Sequence, residues 1–315
     1  MYDLHLHLDG SVSARFLLHQ AQKDGVVLPA LTEQELLPFL SVSPECKSLN
    51  EYLEKFDLPL SVLQTEDALE ACVYDLISRL AALGLAGAEI RFAPQLHQKK
   101  GLPMEAVIEA AISGSQRGGR DFHVQNGLIL CCMRTDTGQP ENIEKNKKTV
   151  ELARHYLGHG VLALDLAGAE ALYATELFEE LFRKAAAYDI PFTIHAGEAA
   201  GAGSIRKAIE YGAARIGHGV RCMEDERLMD FLIQKQIPLE VCPTSNVQTQ
   251  AVPSLLSHPV LTLLEQGLFV TVNTDNMTVS NTNLPQEYKL LANQLGMTPL
   301  QHKKLLENAR KASFL

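Results

Sequence analysis

The sequence predicts an α/β fold, a (β/α)8 TIM barrel with extra helices inserted after strand 1 over the C-terminal mouth. Three features carry this. Eight short strand-like runs recur along 315 residues, longer amphipathic segments separate them, and polar residues suited to chemistry sit at the C-terminal ends of the runs. Strand and helix in alternation imply a parallel sheet, and eight such units in a chain of this length point to a barrel. An open doubly wound sheet would carry a phosphate-binding glycine turn after its first strand, and HLDGSVSA lacks the G-x-G-x-x-G spacing.

The strand runs, in order, are DLHLHL (3–8), GAEIRFA (87–93), QNGLILCCM (125–133), VLALDLA (161–167), PFTIHA (191–196), RIGHG (215–219), PLEVCP (238–243) and LFVTVNTD (268–275). Helical periodicity falls over 104–116, 149–158, 177–189, 204–212, 226–236 and 259–267. Between residue 12 and about residue 86 the chain reads as several helices, far more than one βα connection needs. Following strand 1, they would stand over the mouth as a lid or pocket wall. No linker or low-complexity stretch interrupts the pattern, so residues 1–315 are expected to form a single (β/α)8 barrel domain.

A net charge of −10 argues against nucleic-acid and anionic-membrane partners, which require a basic face. No apolar run is long enough to span a bilayer, and the N-terminus lacks the basic start and apolar segment of a signal peptide. A cytoplasmic protein is expected. Its six scattered cysteines form no CxxC motif and read as buried, reduced thiols.

Chemistry in such a barrel sits where the strands end. Those ends supply His5 and His7, Arg91, Asp165, His195 followed by Glu198, His218, and Asp275. The period of a strand places His5 and His7 on one face, where both imidazoles can meet one metal. With His195 and Asp275 the set becomes three imidazoles and a carboxylate, which suits Zn²⁺ with one position left for water. Such a metal lowers the pKa of that water towards neutrality. Strand 4 has no lysine to bridge two ions. Asp165 could bridge them, but one Zn²⁺ per chain is the favoured reading.

The motifs HLHLDGS (5–11), DLAGAE (165–170), HAGE (195–198), RIGHGV (215–220), CPTSN (242–246) and VNTDN (272–276), in this order, resemble those of the adenosine deaminases of the amidohydrolase superfamily. The likeness extends over nearly the whole chain, including EIRFAPQLH (89–97) and the terminal NARKASFL. It implies a zinc-dependent barrel that converts adenosine and 2′-deoxyadenosine to the inosines and ammonia. It further implies His5, His7, His195 and Asp275 as zinc ligands and Glu198 as the acid that protonates purine N1. His218 and Asp275 would steer the water, Gly168 would meet purine N3, and Asp9 with His7 would reach the ribose 5′-hydroxyl.

Two positions depart from the common family pattern. Asn276 stands where many members carry a second Asp that bonds purine N7; an amide donates there without first being protonated. Ala169 replaces an acid and receives no role. Adenine deaminases of the superfamily tend to read H-x-H-x-E-G and R-I-D-H-G where this chain has Asp9 and Gly217. The shorter Asp9 leaves space for a ribose, which favours a purine nucleoside as the small-molecule substrate. A catalytically inactive nucleoside-binding homologue would be expected to have lost a ligand or the acid, and none is lost here. Oligomeric state is left open. His97, His123, His155, His159, His258 and His302 read as surface or core residues, and Arg91 as an ion-pair partner. Asp165 reads as support for Gly168, Cys242 as packing, Ser245 and Asn246 as loop-shaping, and Leu58 and Met277 as pocket walls. Glu240 receives no role.

Overall fold

A computed structural model describes residues 1–43 and 45–315. Its strands are β1 (Tyr2–His7), β2 (Gly87–Phe92), β3 (Gln125–Arg134), β4 (Val161–Gly168), β5 (Thr193–Ala196), β6 (Arg215–His218), β7 (Leu239–Val241) and β8 (Val270–Val272). They pair in parallel as β1-β2-β3-β4 and β5-β6-β7-β8. Single bridges at Leu164–Phe192 and Leu6–Asp275 join the two halves into a ring. The eight runs read from sequence are the eight strands. The last four are shorter than expected because the chain turns out of the ladder early; after β7, Pro243 opens a helix over Pro243–Gln248. The helix expected over 149–158 spans Pro140–Tyr156, with Pro140 at a position where its missing N–H costs nothing. Among the described residues no helix is long and apolar enough to cross a membrane.

The expected insertion after β1 consists of α1 (Ala14–Asp24), α2 (Glu33–Leu40), α3 (Leu49–Leu53), α4 (Asp57–Val62) and α5 (Glu66–Ala82). Ser13, Thr32, Ser48 and Thr65 cap four of these by accepting from the first turn. The Ser41 hydroxyl donates to the Thr278 carbonyl (2.6 Å), and Tyr52 and Ser280 share a 2.6 Å hydroxyl contact. The insertion is thereby fastened to the segment that follows β8.

Alternation along β1 sends Leu4 and Leu6 outward and Asp3, His5 and His7 inward. The interior of the ring carries charge. Arg91 reaches Asp165 (3.0 Å) and Glu240 (2.9 Å), and Arg215 reaches Glu89 and Glu240, both at 2.6 Å. All five side chains are essentially inaccessible, and such charges persist in an interior only as partners. Arg91 is the ion-pair residue its sequence suggested. At the end of the ring remote from the mouth, Phe314 lies against the Arg215 guanidinium. Ser313 Oγ (2.8 Å) and the Phe314 N–H donate to Glu89, so the terminal ASFL closes that end.

Candidate active site

The strand ends converge on one point. His7 Nε2 lies 3.2 Å from His195 Nε2, and His5 Nε2 and His7 Nε2 each lie 3.5 Å from Asp275 Oδ1. His5, His195 and His218 each turn a ring nitrogen to within 4.8 Å of the others, and a His218 nitrogen and one carboxylate oxygen each of Glu198 and Asp275 lie equally close together. Two backbone bonds bring the ends of the chain together here: the His7 N–H donates to the Asp275 carbonyl and the Asp275 N–H to the His5 carbonyl, both at 2.8 Å. His218 and Asp275 adopt positive φ, 60° and 66°. Such conformations cost about 1–3 kcal/mol each in a residue with a Cβ and persist where surrounding contacts hold them.

The outer nitrogens of two imidazoles are already committed. His5 Nδ1 donates to Glu240 (2.8 Å) and His195 Nδ1 to Asp165 (2.9 Å), so each Nε2 presents a lone pair to the cluster. His5 Nε2 is buried and has no hydrogen-bond partner. Burial holds the His7, His195 and His218 imidazoles below their ordinary range, so all three are neutral near pH 7. At His5 burial is outweighed by the pull of Asp275 and Glu240, which raises the imidazole. Three imidazoles and one carboxylate are the donor set of a divalent metal, and the residues fit one. Asp165 spends its carboxylate on His195 and Arg91. This corrects its reading as a support for Gly168 and leaves it no oxygen with which to bridge a second ion. Glu240, without a role in the sequence, orients His5.

His218 is fixed from behind. Asn246 Oδ1 faces the Cys242 N–H and His258 Nε2, both at 3.4 Å, which turns Asn246 Nδ2 to donate to His218 Nδ1 (3.0 Å). The His218 proton therefore sits on Nε2, 3.6 Å from Glu198 Oε2. His258, read as a residue apart from the site, closes this chain of contacts, and Asn246 does more than shape its loop. Cys242 is packing, as expected.

Glu198 is only 4% exposed. Burial, reinforced by Asp275 and Glu170, pushes its carboxyl up to about 8, so it carries a proton at neutral pH. The loop that bears it is held by Glu170, whose carboxylate accepts from the N–H groups of Gly197, Glu198, Ala199 and Ala200 (2.7–3.0 Å) and from Ser204 Oγ. Sequence reading passed over Glu170. Its partners lie in another βα loop, and only the isolated acid in DLAGAE marks it.

His7, His195, Glu198, His218 and Asp275 line a cavity of about 290 Å³ together with Asp9, Gly168, Asn276 and Arg134. Its apolar wall comes from the insertion: Leu49, Tyr52, Leu53, Phe56 and Leu60. Leu58 and Met277, expected as walls, do not line it; both pack against the core. Gly168 has φ 106°, and Asn276 Oδ1 is turned onto Gly10, where a Cβ would come within 1.7 Å of it. The Arg134 guanidinium donates to Tyr173 O, Thr175 Oγ1 and His195 O, and so is committed to the scaffold.

The sequence profile of the family described as "Adenosine deaminase" matches residues 1–315. The chain belongs to the adenosine deaminase family. This makes it a deaminase of the metal-dependent amidohydrolase kind with a small purine compound as substrate. It is 49% identical to "Adenosine deaminase" of Haemophilus ducreyi, over 99% of this chain and 91% of the relative. Among solved structures it resembles an adenine deaminase from Arthrobacter aurescens (29% identity, TM-score 0.89, 100% and 93% of the chains covered). It also resembles an N6-mAMP deaminase from Arabidopsis (25% identity, TM-score 0.85, 100% and 93% covered). Solved structures of deaminases acting on a base and on a nucleotide thus share the fold. Within this deaminase scaffold, Glu170→Ala is expected to leave four N–H groups without their acceptor, at about 1–3 kcal/mol for each that stays dry. Displacement of Glu198 should lower kcat by about 10²-fold. Thermal melting and steady-state rates check both.

Proposed function

We propose that this chain hydrolyses adenosine and 2′-deoxyadenosine to inosine and deoxyinosine with release of ammonia, in the cytoplasm, as one catalytic domain over residues 1–315. The observation that carries the reading is Glu198, a buried carboxyl held in its acid form with its oxygen within 4.8 Å of His218 and Asp275. His5, His7, His195 and Asp275 would hold one Zn²⁺, which when bound supplies a Lewis acid that makes water nucleophilic near pH 7. Glu198 donates its proton to purine N1. The proton draws density from the ring and makes C6 electrophilic, which a carboxylate at the same place could not achieve. His218, with its proton on Nε2, and Asp275 orient the attacking water. Over the cycle one proton of the water replaces the one given to N1, and the other leaves on ammonia.

Gly168 offers its backbone to N3 and Asn276 its amide to N7, while Asp9 and His7 face the ribose 5′-hydroxyl. The commitment of Arg134 leaves the cavity wall without a free guanidinium for a phosphate, which favours a nucleoside over a nucleotide. Side-by-side rates on adenosine, 2′-deoxyadenosine, adenine and AMP test the reading. The two nucleosides should be turned over best. Adenine as the best substrate would remove the ribose contact from the account, and AMP as the best would remove the argument from Arg134.

A further inference from the structure

His97 ends the short turn Pro94–His97 after β2, and its side chain is fully buried. Its Nδ1 lies 2.7 Å from the Leu63 carbonyl oxygen and its Nε2 lies 3.2 Å from Asp9 Oδ1. The ring is thus held between two oxygens: Nδ1–H donates to the carbonyl, and Nε2 faces Asp9 Oδ1 within ion-pair range, Nε2 and Oδ1 both being buried with no other hydrogen-bond partner. Phe92 packs across the ring with centroids 5.7 Å apart. Gln64 Nε2 donates to the Leu96 carbonyl (2.9 Å) while the Lys99 N–H donates to Gln64 Oε1 (2.7 Å). The turn that carries His97 and the end of α4 are therefore one stapled unit, and Asp9 is held against it. Asp9 in turn lines the cavity and is 4% exposed.

We infer that His97 is a positioning residue for substrate specificity: it pins the Asp9 carboxyl so that Oδ2 receives the 5′-hydroxyl of the nucleoside sugar. The inference rests on the nucleoside reading above and deepens it. A carboxyl free to rotate would lose that freedom on binding, whereas one already clamped loses little, so the pair selects sugars that bring a hydroxyl donor to this point. The chemical class selected is a purine nucleoside with an unmodified 5′-CH₂OH. Neither a 5′-deoxynucleoside nor a free base can use the contact.

The readout is the ratio of kcat/KM for adenosine to that for 5′-deoxyadenosine. His97→Asn keeps an amide near the Nδ1 position to meet Leu63 and removes the atom that faces Asp9. It should lower the ratio about tenfold, chiefly through the KM for adenosine. His97→Gln extends an amide to the Nε2 position and should restore most of the ratio. In an Asp9→Ala background, His97→Asn should change the ratio no further. A ratio unchanged by His97→Asn, with both substrates slowed alike, would show a merely structural residue and overturn the inference while the deaminase reading stands. So would an additive effect in the Asp9→Ala background. Should the Asn variant fail to fold, His97→Ala takes its place with the same expected fall in the ratio, and a ratio unchanged by it overturns the inference. A wild-type protein inert on both nucleosides overturns the deaminase reading and the inference together.

Discussion

Glu198→Gln is expected to reduce turnover of adenosine by about 10³-fold or more, within the range set by losing general-acid catalysis together with its hydrogen bond to the reacting ring. The substitution nearly conserves shape. A Gln amide can still donate to N1, so the nucleoside should bind within a small factor of the wild-type affinity. The amide cannot give its proton away, so C6 stays unreactive. Glu170 should still hold the loop, because its partners there are backbone N–H groups. The expected signature is a collapse of kcat with little change in metal content, in melting temperature or in the Kd for inosine. Wild-type kcat in this variant would assign the proton to another group.

Removal of the metal should abolish turnover, and one equivalent of Zn²⁺ per chain should restore it. The same experiment should move stability. Three imidazole nitrogens and the Asp275 carboxylate crowd within a few ångströms, and Asp275 is 4% exposed. A cation offsets this crowding in the folded chain, whereas the unfolded chain keeps no such arrangement. Free metal at a thousandfold excess over its Kd would add about 4 kcal/mol to stability. A melting temperature that falls after chelation and recovers with added Zn²⁺ is therefore expected. Elemental analysis should give one ion per chain, because Asp165 is already shared between His195 and Arg91. Two ions per chain would overturn that count.

The fold was legible in the sequence because six of the eight strand runs end in a residue whose chemistry marks it, and because amphipathic helical periodicity separates the runs. Placing the His, Glu and Asp candidates at one mouth required only the order of strands. What stayed hidden depends on register across the ring. Asp165 faces His195, Glu240 faces His5, and Glu170 reaches the next loop, all through pairings that no local spacing encodes. One signal was available: Glu89, Arg91, Asp165, Arg215 and Glu240 are charges inside apolar strands, and such charges require one another. His97 was hidden for the opposite reason. It sits in a loop motif where an isolated histidine looks incidental, and its partner Asp9 belongs to the first turn of the chain.

The two backbone bonds between His5, His7 and Asp275 have a consequence for the order of assembly. Nearly the whole barrel is translated between His5 and His7, two of the proposed metal-binding side chains, and Asp275, a third. A nascent chain exposes the H-x-H pair without the partners that give it selectivity. With the proposed ligand set, metallation would be tied to closure of the ring, and a product truncated before β8 would lack both the closing seam and Asp275.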